Sequence, residues 1–304
     1  MAFENLIGNE QIKPILTDIM NKNILHSYLF VGPDGVGKQL FAKEFAKGIL
    51  CGNEKKPCNN CKSCIEFNSL NHPDFNILYP DKDSIKIDQI RIMTSKIIEK
   101  PIISNKKVYI INEADKMTKE ASNSLLKTLE EPPPFAVIIL VCSNENMLLN
   151  TIKSRCTKII FNKINNELLK QYLNSNIKVD IEEDTMLKLF DGSIGKALTL
   201  KDQIGTYNMI NNIFSNIENI DIIELLKQSE KIYKEKENIW LILDYINVIL
   251  LNLSNSKKQY KYLNCIEIVE KVRKNIKHNG NFDINIDNLL LNIWEEINEK
   301  HSRC

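Results

Sequence analysis

Residues 32–38 (GPDGVGK) have the spacing of a loop that binds phosphate groups. They fit the pattern G-x-x-x-x-G-K and lie between a predicted strand and a predicted helix, which is the context this motif requires. Gly32, Gly35 and Gly37 allow backbone N–H groups to turn towards an anion, and Lys38 can reach the outer phosphates. We predict that these residues bind nucleotide. An ordinary glycine-rich turn is the alternative.

Two positions that would handle a metal ion in such a site depart from the pattern. Gln39 stands where a Ser or Thr hydroxyl would bind Mg²⁺, and it is the fifth predicted nucleotide-binding residue. Asn112 ends the apolar segment 108–112 (VYIIN), where an Asp would help to hold the same ion. Glu113 keeps a carboxylate that can orient or activate water, so it is a predicted catalytic residue. The sequence therefore predicts impaired hydrolysis and leaves open whether ATP or ADP is bound.

Four of the eight cysteines are clustered in a predicted loop after the helix of the phosphate loop. Cys51, Cys58, Cys61 and Cys64 follow the pattern C-x6-C-x2-C-x2-C. Four thiolates at tetrahedral corners form a closed structural Zn²⁺ site, and a C-x2-C pair places two of them on one tight turn. A redox pair or unpaired surface thiols are alternatives, but a redox pair leaves two cysteines unexplained. We predict structural zinc here and no metal role for the scattered Cys142, Cys156, Cys265 and Cys304.

Composition indicates an ordinary globular chain. It has 304 residues, of which 43% are hydrophobic and 26% are charged, and this length suggests about two domains. The 40 basic and 39 acidic side chains nearly cancel, whereas a protein that grips DNA alone usually has a basic excess. No signal peptide or membrane span is visible, because the longest apolar stretch, residues 136–142, is too short to cross a bilayer. We expect a cytoplasmic protein without membrane contact.

Short, continuous apolar segments alternate with helical patterns in the first half of the chain. Continuous apolar strands separated by helices indicate an α/β fold, with a parallel sheet covered on both faces. The predicted strands are 27–31, 75–79, 108–111 and 137–141, and the predicted helices are 38–50, 87–99 and 119–130. After about residue 161 the pattern is helical, with breaks near 191–192 and 204–205. We predict an α/β domain over 1–162 with a zinc module at 51–64, a small helical part over 163–205 and a helical bundle over 206–304.

Four sequence segments occur in a distinctive order. Residues 26–30 (HSYLF) lead into the phosphate loop, the four-cysteine module follows, and then come residues 120–133 (EASNSLLKTLEEPP) and 154–156 (SRC). Together they resemble bacterial clamp-loader subunits of the AAA+ class, over at least residues 5–200. The resemblance implies an AAA+ P-loop domain, a helical lid over 163–205 and a collar bundle over 206–304 that joins subunits. The C-terminal third fits the collar in length but carries no motif.

Within this family the resemblance leaves two kinds of subunit, the ATP-hydrolysing motor (tau/gamma) and delta-prime. The motor is expected to keep Ser or Thr after the loop lysine, Asp in its Walker B strand and a sensor-2 arginine. This chain has Gln39, Asn112 and, at the sensor-2 position, Gly195, although Lys196 beside it is a partial substitute. All three residues depart from those expected of the motor, so they favour delta-prime, with the motor subunit as the alternative.

The resemblance also implies a role for Arg155. In this family such an arginine lies at a subunit edge and reaches the ATP bound by a neighbour, so Arg155 is a predicted catalytic residue in trans. A guanidinium suits this task because it is permanently charged and can fork onto phosphate oxygens. The tripeptide Ser-Arg-Cys alone favours an ordinary surface arginine in a loop before a strand, and it is the order of the four segments that favours the role in trans. Ser143 and Asn144 stand where the family places its sensor-1 polar group.

The implied assembly is a hetero-pentamer of delta, three motor subunits and delta-prime. It loads the sliding clamp onto primer–template DNA within DNA polymerase III, and this chain would hydrolyse little ATP itself. Two other classes compete: an autonomous AAA+ ATPase, and a zinc-containing DNA-binding module in which the P-loop is a relic. Near-neutral charge and the lack of a nucleic-acid recognition motif argue against independent tight DNA binding, which is what the second class requires.

Overall fold

A five-stranded parallel sheet lies at the centre of the first half of the chain, and its three inner strands are continuous apolar runs. The protein is described by a computed structural model that covers residues 2–177, 184–201, 204–278 and 280–298, so Cys304 lies outside the described residues. The chain divides into unit 1 (Met1–Leu169 and Gly192–Lys196) and unit 2 (Lys170–Asp191 and Ala197–Cys304). The predicted domain borders at residues 162 and 205 stay predictions.

The sheet brings the ends of the functional strands to one edge. In chain order its strands are β1 (Ser27–Val31), β2 (Phe75–Leu78), β3 (Lys107–Ile111), β4 (Ala136–Cys142) and β5 (Thr157–Ile160). Across the sheet the order is β2-β3-β4-β1-β5. Val31 at the end of β1 lies opposite Cys142 at the end of β4, and Ile111 at the end of β3 lies opposite Leu140. The loops that follow β1, β3 and β4 therefore leave the sheet side by side.

Helices cover both faces of this sheet, as the continuous strands predict. Alternate residues of β1 point to opposite cores: Tyr28 and Phe30 pack in a cluster with α1 and α2, and Leu29 and Val31 pack in a cluster with α4 and α5. The helices up to residue 153 are α1 (Ile12–Asn21), α2 (Lys38–Leu50), α3 (Lys62–Asn68), α4 (Ile87–Ile97), α5 (Lys119–Glu130) and α6 (Asn150–Lys153). The predicted bounds of α2 and α5 are confirmed.

Local signals explain where α5 begins and ends. Its N-cap is Thr118, whose side-chain oxygen accepts a hydrogen bond from the backbone N–H of Ala121 at 3.2 Å. Its last residue is Glu130, and three consecutive prolines start at Pro132 and cannot continue a helix. The chain then enters β4.

The rest of the described chain is helical, as predicted. Unit 2 is built from the remaining helices, which are α7 (Asn166–Ile177), α8 (Asp184–Phe190), α9 (Ile194–Leu200), α10 (Ile204–Ser215), α11 (Ile222–Tyr233), α12 (Ile239–Lys257), α13 (Lys261–Lys277) and α14 (Phe282–Asn298); α7 and α9 begin in unit 1. Residues 178–183, within the predicted lid, lie outside the described residues.

One described helix, spanning 236–257, is long and apolar enough to cross a membrane when judged by length and composition alone. A core helix passes the same test. In unit 2, α12 packs against α8, α10 and α13, and Leu243, Tyr245, Ile246 and Leu250 are completely buried. Packing inside the helical bundle therefore accounts for part of the apolar character of this helix, whereas Trp240 and Leu251 on it are exposed.

Glu218, between α10 and α11, is hydrogen-bonded to α12 and α13 and makes the stability of unit 2 depend on pH. Its carboxylate accepts hydrogen bonds from Lys257 (2.7 Å), Lys261 (2.9 Å) and the Tyr262 hydroxyl (2.8 Å). These bonds, with Lys257 contributing most, lower the pKa of Glu218 from 4.5 to about 2. A lowered folded-state pKa stabilises the protein above pH 4.5, and this stabilisation is lost as the pH falls towards 2.

We expect Glu218→Gln to lower the free energy of unfolding near neutral pH. The difference from the wild type should shrink as the pH falls from 4.5 towards 2, since the wild-type carboxylate then becomes protonated. Urea unfolding followed by circular dichroism over this range measures the difference. A difference that stays constant with pH would contradict the assignment.

Candidate functional site

The phosphate loop has the backbone conformation that its glycines predict. Gly35 and Gly37 have φ values of 73° and 95°, in the left-handed region that L side chains rarely adopt. A Cβ at Gly32 would lie 2.4 Å from the backbone oxygen of Phe161, so only glycine fits between β1 and the residue after β5. Gly37 is the N-cap of α2, and the loop therefore ends at a helix N-terminus that favours anions.

Lys38 lies inside the loop and is almost fully buried, with 6% of its side chain exposed. Its ammonium group donates hydrogen bonds to the carbonyl oxygens of Gly32 and Pro33, each at 2.6 Å, and to Ser143 Oγ at 3.1 Å. Burial lowers the pKa of Lys38, and the nearby Asp34 carboxylate partly opposes this change. The lysine thus lies where the ends of β1 and β4 meet.

Gln39 is held by a tyrosine that the sequence analysis did not single out. Its side-chain N–H donates a 2.7 Å hydrogen bond to the hydroxyl of Tyr79, which directly follows β2. An amide that binds a phenol in this way offers no hydroxyl oxygen for Mg²⁺. Tyr79 follows a strand of the same parallel sheet, and this position could have identified it as a residue of the site from the sequence.

Asn112 and Glu113 follow β3 at the same edge of the sheet. The Asn112 side chain is 9% exposed and lies 3.4 Å from the Glu113 carboxylate, to which it donates. Glu113 has a left-handed φ of 52° and forms a 2.5 Å ion pair with Lys116. The Glu113 carboxylate is thus paired within its own loop. The amide of Asn112 occupies the position where an acidic metal ligand would be expected.

The segment after β4 is tied to both neighbouring loops. The backbone N–H groups of Ser143 and Asn144 donate to the Asp115 carboxylate at 3.4 and 3.1 Å, and the Ser143 hydroxyl donates to the Asp34 carboxylate. Ser143 therefore contacts the phosphate loop and the loop after β3 together. The two aspartates, Asp34 and Asp115, were missed by the sequence analysis because neither occupies a defined motif position.

Gly195 packs directly on the phosphate loop. Its N–H donates a 3.0 Å hydrogen bond to the carbonyl oxygen of Gly35, and a Cβ at Gly195 would lie 2.7 Å from the Gly35 Cα atom. A side chain at this position would therefore require the backbone to shift. Neighbouring Lys196 is exposed, and its backbone N–H bonds to Ser193 Oγ at 3.1 Å.

Arg155 lies at the surface between α6 and β5, away from the contacts that hold Lys38. One guanidinium nitrogen donates to the backbone oxygen of Thr151 at 2.8 Å, and the other donates to the Glu130 carboxylate at 2.6 Å. A third of the arginine side chain is exposed. The Ser27 hydroxyl, at the start of β1, donates to the Arg155 carbonyl oxygen at 2.6 Å and fixes the backbone.

The four predicted zinc ligands lie together. Their Sγ atoms are all within 4.8 Å of one another, and two cross-pairs, Cys51–Cys61 and Cys58–Cys64, are 3.9 and 4.0 Å apart. A tetrahedral site with Zn–S bonds near 2.3 Å requires sulfur atoms roughly 3.8 Å apart. These distances are far longer than the ~2.05 Å of a disulfide bond. The cluster could therefore bind zinc.

Backbone donors and burial also suit the cluster to a cation. The N–H groups of Cys58, Cys61 and Cys64 point at the sulfur atoms of Cys51, Cys58 and Cys61. Backbone N–H groups, first that of Asn60 and then that of Cys61, lower the pKa of the Cys58 thiol to about 6. Burial raises the pKa of the Cys51 and Cys64 thiols, and a metal ion would offset this cost. Cys64 lies on α3, so the predicted loop includes a short helix.

A buried polar network attaches this cluster to the sheet. Ser63, on α3, donates to the Leu50 carbonyl oxygen at the end of α2 and lies 2.9 Å from His72 Nε2. His72 Nδ1 accepts from the Asp74 N–H at 3.1 Å, which indicates a neutral ring, and burial lowers the His72 pKa. The completely buried Asp74 carboxylate in turn accepts from three backbone N–H groups of residues 102–104.

Comparisons with known proteins agree with these features. The sequence profile of the family described as DNA polymerase III, delta subunit, matches residues 8–165. The gamma/tau subunit of Mycoplasma genitalium is 36% identical over 232 residues, which are 74% of this chain and 38% of that protein. The delta' subunit of Bacillus subtilis is 37% identical over 163 residues, which are 53% of this chain and 50% of that protein. The chain thus spans about a third to a half of these relatives.

A solved structure supports the fold. The gamma subunit-related protein of Thermotoga maritima aligns with a TM-score of 0.55 at 19% identity, over 93% of this chain and 99% of that one. The predicted fold class is confirmed: an AAA+-type parallel sheet with a four-cysteine cluster, followed by helices. Because the family profile matches more than half of the 304 residues, the chain belongs to the DNA polymerase III, delta subunit, family, which confirms its predicted membership of the clamp-loader family.

Proposed function

We propose that this chain is a delta-prime-type subunit of the replicative clamp loader. It would supply Arg155 in trans to the ATP bound by a neighbouring motor subunit, while hydrolysing little ATP itself. One observation carries the proposal. Both metal-handling positions have side chains that suit Mg²⁺ poorly, Gln39 bonded to Tyr79 and Asn112 beside Glu113, while Arg155 stays at the surface.

The retained P-loop lysine and glycines support nucleotide binding as a separate property. Gly32, Gly35, Gly37, Lys38 and Gln39 remain the proposed nucleotide-binding residues, and Glu113 remains a proposed catalytic residue. When bound, ATP or ADP would place its phosphates at the N-terminus of α2. The residues of this chain then bind and orient phosphate more readily than they position a metal-activated water.

The proposed assembly is a hetero-pentamer with delta and motor subunits that acts on the sliding clamp and primer–template DNA in the cytoplasm. The helices of the proposed collar, 206–304, would join the subunits, and residues 163–205 would form the lid. Cys51, Cys58, Cys61 and Cys64 would hold structural Zn²⁺. The similarity to delta' and gamma/tau subunits supports membership of such a complex.

A reconstitution experiment tests this function. The purified chain should show negligible ATP turnover, and adding it to motor and delta-type subunits of the same organism should raise their ATPase rate in the presence of clamp and primed DNA. Size-exclusion chromatography should show one complex that contains all three kinds of subunit. Failure to join the complex, or to raise its rate, would overturn the proposal.

The motor subunit of the tau/gamma type is the second candidate. The intact phosphate loop and the 36% identity to the Mycoplasma genitalium gamma/tau subunit favour it. In that case the purified chain alone would hydrolyse ATP in a Mg²⁺-dependent manner, and Lys38→Ala would abolish this turnover.

A further inference from the structure

Arg155 has a carboxylate partner within its own chain. The Glu130 Oε1 atom lies 2.6 Å from one terminal guanidinium nitrogen, and the Thr151 backbone oxygen lies 2.8 Å from the other. These acceptors hold the two arms of a planar group, so they define its orientation as well as its place. A 3.5 Å contact from the Thr151-bonded nitrogen to Ser154 Oγ completes the set.

The position of Glu130 is unfavourable for the helix that carries it. Glu130 is the last residue of α5, where the helix dipole is negative and a second negative charge is disfavoured. Helix stability therefore gives no reason for a carboxylate here, whereas a bond to Arg155 does. The prolines that start at Pro132 fix the place where α5 ends, and so fix the carboxylate relative to the arginine loop.

The backbone of Arg155 is held as well. Its N–H donates to the Ile152 carbonyl oxygen at 3.1 Å, and its carbonyl oxygen accepts from Ser27 Oγ at 2.6 Å. The remaining freedom is in the long side chain, which Glu130 restrains. A guanidinium carries five N–H donors. Even if each of the three side-chain contacts uses its own donor, two remain for a phosphate group.

We propose that Glu130 is a positioning residue for Arg155: it orients the guanidinium before the neighbouring subunit's nucleotide arrives. This inference rests on the proposed function, in which Arg155 acts in trans. Orientation in advance reduces the side-chain entropy that must be lost when the arginine contacts the transition state. Glu130 therefore acts through Arg155 and need not touch the nucleotide.

The ATPase rate of the reconstituted complex tests the inference. With Glu130→Ala, we expect the single-turnover rate at the motor site that faces Arg155 to fall about 3- to 10-fold, while the ATP concentration that gives half of that rate changes less than about 2-fold, because the lost orientation matters in the transition state. Glu130→Gln should keep at least half of the wild-type rate, because its amide oxygen can accept the same bond. Glu131→Ala, which removes an exposed carboxylate from the next position, should leave the rate unchanged.

The Arg155→Ala variant separates this inference from the proposed function. Adding Glu130→Ala to Arg155→Ala should cause no further loss, since the glutamate would act only through the arginine. If Arg155→Ala slows the complex but Glu130→Ala does not, the positioning inference is overturned and the proposed function stands. A Glu130→Gln variant as slow as Glu130→Ala also overturns the inference. If Arg155→Ala has no effect, the proposed function fails, and the inference fails with it.

Discussion

Replacing Arg155 with alanine is expected to slow ATP hydrolysis at the neighbouring motor site by roughly 10³-fold, as loss of an arginine finger does in GTPases. The total rate of the complex should fall less, because only one motor site would face this chain in the proposed ring. A third of the Arg155 side chain is exposed, and among the described residues its guanidinium is bonded through its two terminal nitrogens, so it is accessible to a partner. Single-turnover ATP hydrolysis in the reconstituted complex measures the effect.

Two further variants sharpen this test. Arg155→Lys keeps the positive charge but loses the planar fork, so it should recover only part of the rate. Lys153→Ala removes a positive charge two residues away in the same segment and should leave the rate unchanged. Equal loss with Lys153→Ala would mean that general positive charge at this surface, rather than the arginine itself, promotes hydrolysis.

The Arg155→Ala and Arg155→Lys substitutions should leave the fold intact. The Arg155–Glu130 pair is partly exposed on both sides, and such surface pairs contribute only about 0–1 kcal/mol to the free energy of unfolding. A loss of activity with an unchanged thermal midpoint would therefore report on function. An unchanged ATPase rate for Arg155→Ala would contradict the role in trans.

Sequence patterns identified four of the five strands of unit 1 and its helices α2, α4 and α5, because their signals are local, whereas β5, α1, α3 and α6 were missed. The helices α2 and α5 have the predicted bounds, since each begins after a recognisable capping residue, Gly37 or Thr118. The strands are near-continuous apolar runs, which indicate burial on both faces. The cysteine cluster was equally predictable, because four ligands within fourteen residues define a site by spacing alone.

The contacts that decide what the site can do are long-range, and no local pattern encodes them. Gln39 forms a hydrogen bond with Tyr79, forty residues later in the sequence, and Arg155 forms one with Glu130, twenty-five residues earlier. The Gly195 N–H donates to the Gly35 carbonyl oxygen, although most of unit 1 separates these two residues in the sequence. Each pairing depends on which strands are neighbours. The resemblance supplied the identity of these positions, whereas only the fold supplies their partners.

The second large effect concerns the four-cysteine cluster, where we expect the purified protein to contain about one Zn²⁺ per chain. Cys64→Ala should lose this zinc, because the remaining three thiolates leave one tetrahedral corner empty. Cys265→Ala is the matched control: Cys265 is also completely buried but lies in unit 2, so its loss should weaken packing and keep the zinc. Inductively coupled plasma mass spectrometry of the two variants compares their zinc content.

Removal of zinc should unfold residues 51–68 without unfolding the sheet. Metal binding in zinc-finger peptides contributes about 10–16 kcal/mol, but those peptides have no other core. Here the sheet is covered by two apolar clusters that do not include the four cysteines. The nearest links, Ser63 to the Leu50 carbonyl oxygen and to His72, should break and expose the end of α2.

Hydrogen exchange with and without a strong chelator would locate this change. We expect faster exchange over residues 51–68 and in the 102–104 loop, whose N–H groups are held by Asp74 next to His72, while β1, β3 and β4 stay protected. Loss of protection throughout the sheet would mean that the cluster stabilises all of unit 1. Unchanged exchange together with full zinc loss would show that the polar network holds the module in place, and zinc would then have to be explained by a role other than folding.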